Sequence, residues 1–363
     1  MVSRRRKPKF QTLNVRRKKR GGGFGGFIFF ILISAAIYFF WHEHSKKIVG
    51  ATVAVKKIAP AKSPPKSIVV AQPSPADFPR PVRDGLEAQI ALARRGISPG
   101  SIDGAIGSQT RAAISVFQQL ENLPVTGKLD TNTRPLLTLE APLLTNYVVT
   151  TNDLARLQPL GKSWLEKSQQ SALDYETELE LVGEKAHSNP LLIQKLNPNV
   201  DWPNVAEGTV LQIPDVNYPA PTDKAAFVVI HLSGKFLEAF DENTNLLAHF
   251  PCSIAAKVEK RPVGELHVVT VIPQPNYTVH PELFPESAEL QAIGHELILQ
   301  PGPNNPVGVA WIGLDKPGYG IHGTPAPEQI GRTESHGCFR LANWDAAYLL
   351  KLVWIGMPIE VEP

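Results

Sequence analysis

The sequence predicts a multi-domain chain in which one N-terminal transmembrane helix and two small modules precede a mostly β, sandwich-like C-terminal domain. The first reason is length, because 363 residues exceed the about 250–300 at which a single hydrophobic core stops growing. The second is an uncharged, largely apolar stretch at residues 21–41. The third is the pattern after residue 224, where short runs rich in β-branched residues alternate with turn residues, as is typical of strands.

The N-terminus predicts a membrane anchor. Residues 1–20 form a basic tail with ten Lys or Arg and no acidic residue, and the apolar stretch that follows would span about 31 Å as a helix, enough for a bilayer. Positive flanks stay in the cytoplasm. We therefore expect a single-pass protein of the inner (cytoplasmic) membrane whose remaining residues are periplasmic or otherwise extracytoplasmic, with no role for the tail in binding nucleic acid.

A cleaved signal peptide is the alternative for this stretch. Signal peptides usually have an apolar core of about 7–15 residues followed closely by a small-residue cleavage site. The nearest such site, at residues 59–61, lies well beyond the apolar stretch and contains proline, which favours an uncleaved anchor. Residues 42–83 form a proline-rich linker, and the seven prolines between residues 59 and 81 predict an extended tether.

Residues 84–142 predict a small three-helix module. Segments 103–111 and 126–134 align at an offset of 23, and in each a Gly turn leads through a Ser or Thr able to cap into a helix. The first repeat reads Ile102-Asp103-Gly104-x-Ile106-Gly107-x-x-Thr110 and is followed by Phe117-Gln118. This pattern resembles the peptidoglycan-binding type 1 module, which implies peptidoglycan as a partner; a generic helical bundle is the alternative.

A second small module, of α/β type, is predicted at residues 173–215, after a connector at residues 143–172. Residues 190–198 fit a helix that ends at its proline, and residues 207–214 alternate like a strand. This order resembles a LysM module, although Val182-Gly183-Glu184-Lys185 stands where that family has Gly-Asp-Thr-Leu. A structural spacer is the alternative to glycan binding.

Residues 224–362 predict the mostly β domain. We expect strands at residues 226–232, 246–254, 266–272 and 307–312, a helix at 344–353 and a closing strand at 357–361. Residues 274–300 are too long for a plain connection, and long loops in compact domains tend to be functional. We expect this segment to cover a substrate cleft.

Cys338, one of two cysteines, stands in a setting that predicts a nucleophile. The thiolate is the attacking form, so a catalytic cysteine needs a nearby imidazole or an electropositive pocket. His336 lies two residues upstream and His322 sixteen. Gly337 lets the backbone bend, so that its amide and that of Cys338 can face a developing oxyanion. The alternative is a small buried side chain among core histidines.

Further motifs accompany this cysteine in a fixed order. They comprise residues 228–232 with 236–241, Pro262-Val263-Gly264-Glu265-Leu266, Asn305-Pro306-Val307-Gly308, Gly320-Ile321-His322-Gly323-Thr324, and Ser335-His336-Gly337-Cys338-Phe339-Arg340-Leu341 with Asn343. Together they resemble the L,D-transpeptidase (YkuD-type) family, with Arg261 in place of that family's threonine. The resemblance implies a cysteine acyltransferase that acts on peptidoglycan tetrapeptide stems, releases D-Ala, and forms 3–3 cross-links or attaches a protein to the wall.

The same motifs are compatible with other functions. An L,D-carboxypeptidase or cross-link hydrolase would form the same thioester and pass it to water. A function of another class is a catalytically inert envelope tether that only binds peptidoglycan. The presence of both Cys338 and His322 argues against the tether.

The catalytic roles divide between the two histidines. We expect His322 to be the general base, because an imidazole near its ordinary pKa can accept and return a proton around neutrality. The resemblance implies that the carbonyl of Gly323 orients the other ring nitrogen. His336, only two residues from the thiol, is expected to be an auxiliary residue in the pocket wall or beside the thiolate.

Three residues are expected to contact substrate or shape the loop: Ser335, Tyr319 and Arg340. Arg340 has two interpretations, an anchor for a stem-peptide carboxylate or an internal ion pair, since a guanidinium suits either. Asn343 fits a turn or a cap.

No metal or cofactor is expected, because the chain has two cysteines and no His-x-x-x-His pair. We expect both thiols to be reduced, with Cys252 on a core strand, because a disulfide to Cys338 would disable the nucleophile.

Overall fold

The computed structural model describes residues 77–332 and 337–363. The predicted basic tail, the membrane anchor and most of the proline-rich linker lie outside these residues. In the part of the chain that is described, no helix combines the length and the apolar character needed to cross a membrane.

The first module, described throughout residues 80–139, has three helices and a two-stranded ribbon. Its elements are β1 (Arg80–Pro81), α1 (Gly85–Ala93), α2 (Ser108–Leu120), α3 (Thr133–Leu136) and β2 (Thr138–Leu139). Asp84 caps α1 by accepting a hydrogen bond from the amide of Glu87. The predicted Ser or Thr caps of the two repeats were wrong, because α2 and α3 begin after Gly107 and Asn132 with no side-chain cap.

Two buried glutamines explain the internal repeat. The side-chain oxygen of Gln89 accepts a hydrogen bond from the amide of Gly104 at 2.7 Å, and that of Gln118 accepts one from the amide of Gly127 at 2.9 Å. Both glycines have a positive φ, which favours glycine over other residues. Each repeat is therefore a Gly turn held by a glutamine from a preceding helix.

The second unit packs two helices beside a two-stranded sheet. In chain order it contains β3 (Leu144–Val148), α4 (Thr151–Ala155), α5 (Trp164–Ser168), α6 (Glu178–Lys185), α7 (Pro190–Leu196) and β4 (Val210–Pro214). The predicted helix and closing strand are confirmed as α7 and β4. However, β4 pairs antiparallel with β3, which lies in the stretch expected to be a connector, so the paired unit begins at residue 144 instead of 173.

The C-terminal domain is mostly β, as predicted. Its strands and helices in chain order are β5 (Phe227–His231), β6 (Phe236–Phe240), β7 (Leu246–Pro251), β8 (Gly264–Pro273), β9 (Tyr277–Val279), α8 (Ala288–Ile293), β10 (Leu297–Leu299), β11 (Ala310–Leu314), β12 (Gly320–His322), β13 (Phe339–Arg340), α9 (Asn343–Leu352) and β14 (Pro358–Glu362). Short 3₁₀ turns lie in this domain at Val258–Lys260, Pro281–Leu283 and Pro327–Gln329, and another lies in the second unit at Trp202–Asn204.

Eight of these strands, among the described residues, form one mixed sheet in the order β13-β12-β11-β8-β14-β5-β6-β7. The first part of β8 pairs with β14 and its second part with β11. The expected sandwich is therefore one sheet that continues through β8. Both halves bury apolar side chains in a single core with α9, including Val228, Leu237, Ile312, Phe339 and Leu349.

The first module packs along β7, the outer strand of this sheet. The amide of Ser98 donates to the carbonyl of His249 at 2.8 Å, and the amide of His249 donates to the carbonyl of Gly96 at 3.0 Å. These bonds satisfy backbone groups that an edge strand would otherwise expose. The module therefore covers one edge of the catalytic sheet.

Candidate active site

Two short parallel strands position the predicted catalytic residues. Along β12 and β13, Ile321 pairs with Phe339 and His322 with Arg340. Alternate residues of a strand face the same side, and Ile321 and Phe339 point into the core, where they are buried. His322, Arg340 and Cys338 therefore face away from the core, and all three line one cavity of about 780 Å³.

His322 is held as a neutral base. Its Nδ1 lies 2.6 Å from the carbonyl oxygen of Gly323, so Nδ1–H donates to this oxygen and Nε2 keeps its lone pair. The ring stacks on Trp311 with centroids 5.7 Å apart. Burial, aided by the positive charge of Arg340 and opposed by the Gly323 carbonyl, lowers the pKa of His322 to about 4, so the imidazole is unprotonated at neutral pH.

The thiol of Cys338 is held in its protonated form. Its Sγ lies 3.5 Å from the carbonyl oxygen of Gly318. Burial raises the pKa of Cys338, while the backbone of Gly320 and the charge of Arg340 lower it in part. Because a protonated thiol and a neutral imidazole line the same cavity, attack requires proton transfer to a base, which is the role predicted for His322.

Arg340 supplies positive charge to the cavity. Burial lowers the pKa of its guanidinium, and the nearby Cys338 and Tyr277 raise it. None of the described carboxylates forms an ion pair with Arg340, and the described lining contains no Asp or Glu but does contain Lys260. Of the two interpretations of Arg340, this geometry favours the carboxylate anchor.

The remaining predicted residues fall at or near the cavity. Gly337 lines it, but Ser335 and His336 lie outside the described residues. Tyr319 is not among the described lining residues; its ring packs against the domain core and approaches within 3.7 Å of a Cβ placed on Gly337. Cys252 directly follows β7, where it is fully buried, and the two cysteines form no disulfide.

Asn343 has a different role from the turn or cap predicted for it. Its side-chain nitrogen donates to the carbonyl of Pro303 at 3.1 Å and to Glu184 at 3.0 Å, and its oxygen accepts from the amide of Val309 at 3.3 Å. The same oxygen packs so closely on Gly323 that no Cβ would fit there. Asn343 therefore fixes the backbone whose carbonyl orients His322.

The long segment at residues 274–300 lies along the cavity, as predicted for a cover. It folds into the β9–β10 hairpin with α8, and seven of its residues line the cavity: Pro275, Asn276, Tyr277, Thr278, His280, Leu283 and Phe284. Trp164, from α5 in the second unit, also lines the cavity. Trp164 could not be placed there from local sequence, because no catalytic motif is near it.

Comparison with known proteins identifies the families of two parts of the chain. Residues 225–361 match the family of YkuD-type L,D-transpeptidase catalytic domains, and residues 84–137 match a peptidoglycan-binding domain family. A Bacillus licheniformis protein named as L,D-transpeptidase YkuD is 27% identical over 46% of this chain and 82% of its own length. Escherichia coli YbiS, named as a probable L,D-transpeptidase, is 30% identical over 46% of this chain and 54% of its own length.

The match to solved structures is weaker. L,D-transpeptidase 3 from Mycobacterium tuberculosis is 18% identical, with 44% of this chain and 77% of that chain covered at a TM-score of 0.31, and the assignment does not depend on it. The sequence families and the cavity geometry agree on the C-terminal domain. The chain thus contains an L,D-transpeptidase catalytic domain of the YkuD type at residues 225–361, preceded by a peptidoglycan-binding domain at residues 84–137.

Proposed function

We propose that the enzyme transfers the acyl group of a peptidoglycan tetrapeptide stem through a thioester on Cys338. The observation that carries this proposal is that the Cys338 thiol, the unprotonated ring of His322 and the Arg340 guanidinium line one cavity. A protonated thiol next to a neutral base is the starting state that nucleophilic attack on a peptide carbonyl requires.

In the proposed reaction, Nε2 of His322 accepts the thiol proton as Sγ of Cys338 attacks the carbonyl between the L-centre of the diamino acid and the terminal D-Ala. The backbone amides of Gly337 and Cys338 hold the oxyanion. The imidazolium then protonates the leaving amine, the C–N bond breaks and D-Ala departs. The side-chain amine of a second stem attacks the thioester, loses its proton to His322 and forms the 3–3 cross-link as the thiol is released.

The other catalytic-loop residues have supporting roles in this proposal. Ser335 fixes the loop and His336 assists at the thiolate. The carbonyl of Gly323 keeps His322 in the reactive tautomer. Arg340 binds a carboxylate of the donor stem, and Tyr319 supports the donor side of the loop from behind Gly337.

The acceptor defines the possible outcomes of this chemistry. An amine on a second stem gives a cross-link, an amine on a protein attaches that protein to the wall, and water gives a carboxypeptidase or hydrolase. We favour an amine, because the long segment 274–300 and Trp164 add apolar side chains to the cavity wall, which reduces the water near the thioester.

The other parts of the chain are proposed to bring the catalytic domain to its substrate. An anchor at residues 21–41 in the inner membrane and an extended linker would hold the domains in the periplasm next to the wall. The pairing of β3 with β4, with α6 and α7 among the four helices between them, supports a LysM-like module, with a spacer as the alternative. Binding modules on one chain raise the effective concentration of stems at the active site.

Mass spectrometry of the products tests the proposal. The full chain is incubated with a disaccharide-tetrapeptide, with Cys338→Ala as the control. A cross-linked dimer that has lost one D-Ala, absent from the control, is the expected product. Disaccharide-tripeptide alone would establish the hydrolase instead. No turnover and no acyl-enzyme would leave the inert tether as the remaining function.

A further inference from the structure

Residues 157–173, which we call the arm, are the part of the second unit that contacts the segment along the active-site cavity. The arm contains α5, which begins with a capping box between Ser163 and Glu166. The amide of Leu165 on α5 donates to the carboxylate of Glu289 on α8 at 2.9 Å. The arm is therefore attached directly to the 274–300 segment, which we call the lid.

The arm and the lid also share an apolar core that is separate from the main core of the catalytic domain. Leu173 of the arm is fully buried in this core with four lid residues: Val279, Leu290, Leu297 and Leu299. Backbone bonds extend the contact, since the amide of Leu173 donates to the carbonyl of Pro301 and its carbonyl accepts from the amide of Asn304, both at 2.9 Å. The lid depends on the arm for its packing.

Trp164 is the one arm residue in the described cavity lining. Its ring lies 5.6 Å from that of Phe284 on the lid, at an interplanar angle of 42°. Leu283, 62% exposed, and Phe284 also line the cavity. The arm and the lid thus give the cavity an apolar wall, whereas Arg340 and Lys260 give it positive charge. Ligand sites typically combine apolar walls with a few polar groups that fix orientation.

We propose that Trp164 is a specificity-determining residue that contacts the peptide part of the donor stem. The inference rests on the proposed function. A tetrapeptide stem carries carboxylates, which suit Arg340, separated by methyl groups and a methylene chain, which suit the wall formed by Trp164 and Phe284. Because Trp164 reaches the cavity from the arm, the second unit contributes to substrate selection as well as to the spacing of domains.

The experiment compares three variants of the full chain: Trp164→Ala, Trp164→Phe and Leu165→Ala. Leu165 is the matched control because it follows Trp164 on the same helix, is 42% exposed and is absent from the described lining. For each variant, kcat and KM are measured for D-Ala release from the tetrapeptide and from the disaccharide-tetrapeptide. The alkylation rate of Cys338 by iodoacetamide, which needs no apolar wall, reports on the catalytic pair alone.

We expect Trp164→Ala to raise KM about tenfold with both donors, with kcat and the alkylation rate little changed. Trp164→Phe should recover most of the loss, and Leu165→Ala should behave as the wild type. An unchanged KM would overturn the inference. So would a rise with the disaccharide form alone, which would place the ring on a sugar, or a parallel fall in alkylation rate and melting temperature, which would indicate only a structural role.

Failure of the proposed function is distinguishable from failure of this inference. If the wild type releases no D-Ala, calorimetric titration of Cys338→Ala with the tetrapeptide, with and without Trp164→Ala, decides whether the ring contacts the peptide. Equal affinity in the two proteins would refute the contact, and about tenfold weaker binding without Trp164 would support it.

Discussion

The side-chain amide of Asn343 donates a 3.0 Å hydrogen bond to the carboxyl group of Glu184. This bond joins the first turn of α9 in the catalytic domain to α6 in the second unit. Burial, together with the negative charges of Glu180, Asp345 and Glu328, raises the pKa of Glu184 to about 8 despite the bond to Asn343. Glu184 is therefore largely protonated at neutral pH, and Asn343, which fixes the His322 backbone, donates to an uncharged carboxyl group.

A first prediction concerns stability and pH. A raised carboxyl pKa means that the folded chain keeps a proton that the unfolded chain releases above about pH 4.5, so the free energy of unfolding falls as pH rises from about 4.5 towards 8. Glu184→Gln keeps the hydrogen-bonding oxygen but cannot ionise. We expect the variant to match the wild type near pH 5 and to be more stable near pH 8, by about 1 kcal/mol or more, in urea unfolding.

Asp345, whose pKa burial raises to about 7, contributes a slope of the same sign in both proteins, so the difference between them reports mainly on Glu184. Glu207→Gln, at an exposed position before β4, serves as the control and should show a pH-independent difference from the wild type. A stability gap between Glu184→Gln and the wild type that stays constant from pH 5 to pH 8 would show that Glu184 is ionised in the folded state.

A second prediction concerns the pH dependence of catalysis. Since the pKa of His322 is lowered to about 4 and that of Cys338 is raised, the base is unprotonated and the thiol protonated across the neutral range. We expect kcat/KM for D-Ala release to fall only in acid, as His322 becomes protonated below about pH 5. No inflection is expected near the ordinary histidine pKa of about 6.5.

His322→Ala is expected to lower kcat/KM by about 10²–10⁴-fold, the usual contribution of a general base. Trp311→Phe, which keeps an aromatic ring against His322, should leave the acid limb in place. A profile with its inflection near 6.5, or a His322→Ala variant with nearly full activity, would assign the base to another group.

Site residues that lie close together in the sequence could be predicted, whereas residues whose partners lie far along the chain could not. Cys338 and His322 could be identified because each lies in a short, characteristic motif and because strand pairing then brings the two motifs together. The roles of Asn343 and Trp164 could not, because their partners, Glu184 and Phe284, are more than a hundred residues away and belong to other structural units.

The elements of the fold that were missed or predicted wrongly are also those that depend on residues outside the local sequence. The strands, the last helix and the closing strand of the catalytic domain were predicted from local apolar patterns, which reflect burial directly. β3 was not predicted, because its alternation is weak and its partner β4 lies beyond four helices. The caps of α2 and α3 were wrong because the turns before them are fixed from outside, by Gln89 and Gln118, so a capping side chain is not needed.

A third prediction separates the two thiols. Cys252 is fully buried, which raises its pKa to about 12, whereas Cys338 lines an accessible cavity. We expect iodoacetamide to modify Cys338 alone in the folded protein and both cysteines in urea, as measured by intact-mass spectrometry. The folded Cys338→Ala variant should remain unmodified. Modification of Cys252 in the folded protein would contradict the burial of its thiol.

A fourth prediction tests Arg340 as the carboxylate anchor against a structural arginine. Arg340→Gln removes a charge that faces the cavity and has no described carboxylate partner. A charge-assisted hydrogen bond is worth about 1.5–3 kcal/mol, so we expect KM for the tetrapeptide to rise about 10–100-fold, with little change in melting temperature. Arg94→Gln is the matched control, because Arg94 pairs with Asp215 at 3.1 Å and is absent from the described lining. That variant should lose stability and keep its KM. If Arg340→Gln instead lowers the melting temperature and leaves KM unchanged, Arg340 shapes the catalytic loop and the donor carboxylate is bound elsewhere, with Lys260 as the next residue to substitute.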